Sequence, residues 1–201
     1  MKKFRLSIAV LLSVWSLAGM GDVKADNGSG MGGVKVEKSE QKKVRVYTKP
    51  GASVDVAIID ADGNVLYQGF IAKNAKGATS FNLNNLPDGQ YYLTAGNNAW
   101  WMSQGITIKS NAVSVDERSL KQVAEPILTA YEKNKFEVVL PAKNVETASV
   151  AIYDTQNVLV QTDSFKGESR RFDLSSLPDG AYTFVVGPSQ KQFITRVDVR
   201  H

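Results

Sequence analysis

Phe81-Asn82-Leu83-Asn84-Asn85-Leu86-Pro87-Asp88-Gly89-Gln90-Tyr91 returns as Phe172-Asp173-Leu174-Ser175-Ser176-Leu177-Pro178-Asp179-Gly180-Ala181-Tyr182, with seven of the eleven positions identical. Within each copy, proline presets φ for the second position of a β-turn, Asp tolerates the third, and Gly suits the fourth. The likeness extends outward. Val54–Asp60 matches Ala148–Asp154, Val65-Leu66 matches Val158-Leu159, and Gly105–Lys109 matches Arg196–Arg200. Self-similarity on this scale marks a duplicated structural unit. The expected units are 34–109 and 126–201.

Each unit reads as all-β. Apolar residues alternate at Val44/Val46, at Val54/Val56/Ile58 and at Tyr91/Leu93/Ala95, the period of half-buried strands. Turn chemistry separates the runs at Lys49-Pro50-Gly51, Asp60-Ala61-Asp62-Gly63, Asn74-Ala75-Lys76-Gly77 and Leu86-Pro87-Asp88-Gly89. About seven strands fit each unit, the density of a small antiparallel sandwich. A small closed barrel is the competing architecture. The joining stretch 110–125 is read as a linker able to hold one element. That element is either a short helix, with Ser114 and Glu117 as a capping box, or an additional strand.

The N-terminal stretch supplies an address. Lys2, Lys3 and Arg5 precede an apolar run from Leu6 to Met20, and Val23-Lys24-Ala25 offers a cleavage site before Asp26. This is the pattern of a Sec signal peptide over 1–25, and the run is too short to span a bilayer. Asp26–Gly33 is a Gly/Ser linker. No later stretch is a transmembrane candidate. The expected location is therefore the periplasm, the outer surface or the medium. Cleavage would remove Lys2, Lys3, Arg5 and Lys24 with Asp22, taking 24 basic and 20 acidic residues to 20 and 19. Such a balance, without dense basic clusters, argues against nucleic acid as a partner.

The 201 residues contain no cysteine and one histidine, His201. Disulfides, thiolate metal sites, cysteine nucleophiles and Ser-His-Asp catalysis have no material. Asp60-Ala61-Asp62-Gly63-Asn64 faintly suggests a calcium loop, but no downstream bidentate carboxylate follows, and the second copy loses Asp62 and Gly63. A hairpin turn is the better account. Asp88/Asp179 and Asp60/Asp154 resemble turn aspartates more than a glycosidase pair. The expectation is a protein without enzymatic activity, cofactor or metal.

The pattern V-x-I-x-D, turn, V-L, then F-x-L-x-x-L-P-D-G-x-Y, then a closing apolar strand resembles small secreted immunoglobulin-like domains of Bacteroidota. It is also similar to the C-terminal sorting domains of type IX secretion cargo. The resemblance implies two tandem Ig-like antiparallel β-sandwiches. Tyr91 and Tyr182 then correspond to the tyrosine corner, with ring inward and hydroxyl on nearby backbone; Pro87, Gly89, Pro178 and Gly180 shape the turn before them. In the sorting-domain version, Ala181–Val186 and Ile194–Val199 are the closing strands, with Arg196 at the usual basic position. Two function classes follow. One is an exported structural, adhesive or binding module, its partner an envelope protein or glycan. The other is type IX cargo whose second unit is a sorting tag.

Trp100-Trp101-Met102 has no counterpart in the second unit, where Lys191-Gln192-Phe193 stand. Parity from Ile106 and Ile108 directs Trp100 and Met102 inward and Trp101 outward, with Ser103 and Gly105. Tyr92 faces outward on the preceding strand, and Asn97 and Asn98 occupy the adjacent loop. These four residues (Trp101, Tyr92, Asn97, Asn98) form the candidate ligand or partner contact. The alternative is that Trp101 covers a domain junction or sandwich rim.

Overall fold

The computed structural model describes residues 33–49, 51–75 and 77–201. The expected signal peptide over 1–25, and all of the 26–33 linker except Gly33, lie outside the described residues. Among the described residues there are sixteen β-strands. The first eight are β1 (Lys35–Lys38), β2 (Lys43–Tyr47), β3 (Val54–Asp60), β4 (Val65–Ile71), β5 (Ala78–Asn82), β6 (Gly89–Gly96), β7 (Trp100–Lys109) and β8 (Ala112–Ala124). Then come β9 (Ile127–Glu132), β10 (Lys135–Val139), β11 (Ala142–Lys143), β12 (Ala148–Tyr153), β13 (Leu159–Phe165), β14 (Ser169–Asp173), β15 (Gly180–Gly187) and β16 (Phe193–Val199). The chain divides into two compact units. One holds residues up to Ala95 with Ser103–Ser119; the other holds Gly96–Met102 with Leu120–His201.

In the first unit, one sheet has the order β1-β2-β5, and the other runs β7-β6-β3-β4 with β8 added beyond β7. In the second unit the orders are β9-β10-β14 and β16-β15-β12-β13. With β11, which pairs with β8, left out of the count, these are the same arrangement: strands 1-2-5 against 7-6-3-4. The second-to-third, fourth-to-fifth and fifth-to-sixth connections all change sheets, as in a Greek-key sandwich of immunoglobulin type. The sheets are antiparallel, and the closed barrel is not formed.

Alternation builds the cores. Val44 and Val46 on β2, Val56 and Ile58 on β3, Leu93 on β6, and Ile106 and Ile108 on β7 are all buried. In the second unit Val138, Val150, Ile152, Phe172, Phe184 and Val199 form one cluster drawn from both sheets. Phe172 and Phe136 meet Phe184 edge-on, with centroids 5.7 and 6.2 Å apart. Such T-shaped packing locks the two sheets face to face.

Two expectations change. Of the two elements weighed for 110–125, the additional strand is formed and the short helix is not: Ala112–Ala124 is a thirteen-residue strand. Ser110 and Asn111 both have positive φ, 49° and 64°, which is the two-residue turn that folds a strand back on its predecessor. Val113 and Val123 are buried on it, and the Ser114 hydroxyl donates to Thr107 O rather than capping a helix. The division into compact units falls within β7 and β8.

The second correction concerns register. Ile59 pairs with Val65, and Tyr153 pairs with Leu159. Val65 is therefore equivalent to Leu159, one residue away from the match of Val65-Leu66 to Val158-Leu159. The two hairpins have equal length, because the left-handed position filled by Gly63 (φ 86°) in one is filled by Asn157 (φ 60°) in the other. Both residue types tolerate that conformation.

The glycines divide by environment. Gly187 has φ 146°, and a Cβ there would lie 2.2 Å from Lys191 O. Its counterpart Gly96 would place a Cβ 2.8 Å from Trp100 O. At Gly180 the space is open, and neither it nor Gly89 needs a positive φ. Gly187→Ala is expected to cost about 1–3 kcal/mol from backbone strain alone, and Gly180→Ala to stay within about 1 kcal/mol of the parent. Urea denaturation of the two variants measures this, and equal losses would contradict it.

Candidate functional site

The repeated motif folds into the same device twice. The Tyr91 hydroxyl donates to Pro87 O at 2.8 Å, and the Tyr182 hydroxyl donates to Pro178 O at 2.9 Å. Both rings are buried. Burial, followed by the nearby charges of Asp60 and Asp88, pushes the Tyr91 phenol up. Phe81, Leu83 and Leu86 plug one core, and Phe172 and Leu174 the other. Asn82 and Asp173 each accept a backbone N–H two residues on, so the polar positions of the motif close the turn.

The aspartate of each Pro-Asp-Gly has a partner remote in sequence. Asp88 Oδ2 accepts the Ser110 N–H at 2.8 Å, and Asp179 Oδ1 accepts the His201 N–H at 2.9 Å. Ser110 and His201 each stand one residue beyond the equivalent Lys109 and Arg200. The carboxylate thus pins the end of β7 in one unit and of β16 in the other, a role for which the sequence carries no local signal. His201 adds a second layer. Its Nδ1 lies 2.7 Å from Asp179 Oδ1 and its Nε2 lies 2.8 Å from Ser175 O. Both partners are acceptors, so the geometry suits the doubly protonated imidazolium. The Ser175 carbonyl and then Asp179 hold the His201 pKa above its ordinary 6.5. His201 in turn lowers that of Asp179.

Asp60 is occupied in the same manner. Its Oδ1 accepts the N–H groups of Asp62 and Asn64, and its Oδ2 accepts Asn64 Nδ2 at 2.9 Å. The Asn64 side chain, with the surrounding N–H groups, keeps the carboxyl below the usual range. Asp154 accepts the N–H groups of Gln156 and Val158. Both aspartates accept N–H groups that close their hairpins. Among the described residues, no group of three His, Asp or Glu side chains is placed to hold a metal ion.

The aromatic candidates separate. Trp101 is half-buried and packs against the core cluster of the second unit, to which its segment Gly96–Met102 belongs. The outer face expected at Ser103 and Gly105 is not open. Ser103 and Gln104 are buried, and Ser119 Oγ accepts the Gly105 N–H at 2.7 Å. Gln104 Nε2 also donates to Asp116 O. A Cβ on residue 105 would meet Ser119 Oγ at 2.4 Å, which explains a glycine there. Asn97 closes the β6–β7 turn, its N–H on Trp100 O and its Oδ1 on the Ala99 N–H, each at 2.9 Å. Asn98 is exposed, and Tyr92, in the first unit, is 37% exposed.

A protein family described as "Secretion system C-terminal sorting domain" matches residues 38–109. The match falls on the first unit rather than on the second. No curated protein matches. Among solved structures, the chain is similar to a biofilm-associated protein's BSP domain, with 15% identity over 83% of this chain and 29% of that one, at a TM-score of 0.29. It is also similar to the chicken CNTN1 FN1–FN3 domains, with 11% identity over 84% of this chain and 63% of that one, at a TM-score of 0.32. A two-domain fibronectin type III segment of chicken tenascin gives 10% identity over 84% and 97%, at 0.33. The chain thus spans less than two thirds of the first two structures.

Two outcomes are expected from this geometry. Trp101→Ala should lower stability by about 1–3 kcal/mol, as for loss of a partly buried large side chain; calorimetry checks this, and an unchanged melting temperature would contradict packing. His201 should titrate above 6.5 by NMR, and Asp179→Asn should bring it back toward that value. The sign follows from linkage. The His201 contribution is fully present below 6.5 and is lost as pH rises through the folded-state value. The Asp179 contribution is present above 3.8 and is lost as pH falls through its lowered value.

Proposed function

We propose that this is an exported protein, acting outside the cytoplasm as a structural, adhesive or binding module without enzymatic activity. The observation that supports export most directly is the sorting-domain match over residues 38–109. A non-catalytic role is supported by what the candidate chemical groups do in the fold: Asp60, Asp88, Asp154 and Asp179 all accept backbone N–H groups. Tandem duplication and a Sec-type leader over residues 1–25 belong to the same reading. The proposed partner is an envelope protein or a glycan, with exposed Tyr92 as the aromatic able to stack on it. Trp101 is read as packing.

The second reading is cargo of type IX secretion. The shared strand order supports it, since the second unit is built like the unit that matches the sorting family. In that version residues 126–201 are a tag removed after export. Epitope tags placed in each unit distinguish the two readings. Recovery of both tags in one exported polypeptide is expected under the module reading, and loss of only the second tag would establish the cargo reading. A glycan and envelope-extract screen, run on the protein and on Tyr92→Ala, tests the partner class. Binding that survives Tyr92→Ala would remove Tyr92 from the site.

A further inference from the structure

The two units share one strand order, yet their last strands end differently. In the first, the outer edge of β7 is hydrogen-bonded to β8. In the second, β16 is the terminal strand of its sheet, order β13-β12-β15-β16. Counting from the paired motifs, Ser103 and Gly105 of β7 correspond to Ile194 and Arg196 of β16. Ser103 and Gly105 are buried. Ile194, by contrast, is 69% exposed, and Arg196 and Asp198 are exposed beside it. Among the described residues, the first unit therefore displays the strand-added form of an edge that the second unit leaves open.

The open edge is rigid. Seven consecutive registers tie β16 to β15, from Gly180↔Val199 to Val186↔Phe193. Its far end is held by Asn134, whose Oδ1 accepts the Arg200 N–H and whose Nδ2 donates to Arg200 O. The inward residues Phe193, Val197 and Val199 pack on the core. The outward row reads Ile194, Arg196, Asp198, Arg200, an apolar residue followed by alternating charge. Asp198 meets Arg200 at 3.1 Å, and Arg196 has no ion pair among the described residues. A bare edge of this kind is a template for strand addition.

We propose that β16 pairs antiparallel with β16 of a second copy of this chain, about a two-fold axis at Val197. That register sets Arg196 of each copy opposite Asp198 of the other and lays Ile194 beside the stem of Arg200. Shifting by one step of the side-chain period in either direction sets Arg196 against Arg196, or Asp198 against Asp198 and Arg196 against Arg200. Opposite charges across paired strands stabilise and like charges destabilise. The charge row thus selects one register and one orientation, and a two-fold contact satisfies both halves at once.

Sedimentation equilibrium of the purified protein tests this. The parent is expected to show a reversible, concentration-dependent dimer. Arg196→Asp and Asp198→Arg each place like charges opposite one another and should weaken self-association by roughly tenfold or more. The double variant R196D/D198R restores complementarity and should recover the dimer. Circular dichroism of each variant verifies the fold. Because the chain lacks cysteine, the register can be read separately. Arg196→Cys and Asp198→Cys proteins, mixed and oxidised, should form the mixed disulfide in preference to either homodimer. A parent that stays monomeric at its highest soluble concentration would overturn the proposal. So would single variants that dimerise like the parent, or a mixed disulfide no more abundant than the homodimers.

Discussion

The Tyr91 hydroxyl reaches back to Pro87 O and the Tyr182 hydroxyl to Pro178 O, and on this bond the remainder of each unit depends. The connection it spans is the one that carries the chain from the β1-β2-β5 or β9-β10-β14 sheet to the sheet facing it. A crossing of this kind exposes backbone polar groups close to a core, where an unpaired group costs about 1–3 kcal/mol. The tyrosine satisfies a carbonyl there while its ring fills the core beneath. One residue after the proline, the aspartate pins the end of β7 or of β16. A single eleven-residue motif therefore closes the sandwich at two points that lie far apart in sequence.

Both closures are made by side chains that seek backbone groups. The hairpin aspartates Asp60 and Asp154 and the corner aspartates Asp88 and Asp179 are all committed to N–H groups. Function lives in sites carried on a fold rather than in the fold itself. Among the described residues, the two units differ at the outer edge of β7 and β16, covered by β8 in one and without a neighbour in the other, and at Trp100-Trp101-Met102 against Lys191-Gln192-Phe193.

The architecture was legible because its determinants are local. Alternation at Val54/Val56/Ile58 and the turn chemistry of Leu86-Pro87-Asp88-Gly89 each act within a few residues. Register was less legible: matching Val65-Leu66 to Val158-Leu159 ignores that Asn157 can take the left-handed place of Gly63 without shortening the hairpin. Ser114 and Glu117 have capping-box spacing, yet Ser110-Asn111 turns the chain back on β7, and the cross-strand ladder prevails over the local helix signal. Strand parity places Trp101 outward. Parity assigns a side chain to one side of its own strand and is silent on what covers that side.

Composition and spacing by themselves determined the absence of cysteine and of histidine clusters, the repeated eleven residues, the two-residue period and hence an all-β sandwich. These properties depend on residue identity and on neighbours a few positions away. Tertiary structure alone decided that Asp88 and Asp179 hold strand ends twenty-two residues distant. It decided also that Trp101 packs against the second unit's core cluster, and that, among the described residues, β7 has β8 as an outer neighbour where β16 has none. Each of these is a meeting of segments remote along the chain. The free energy of such a meeting comes from desolvation and hydrogen bonding at a surface that exists only after both segments have folded.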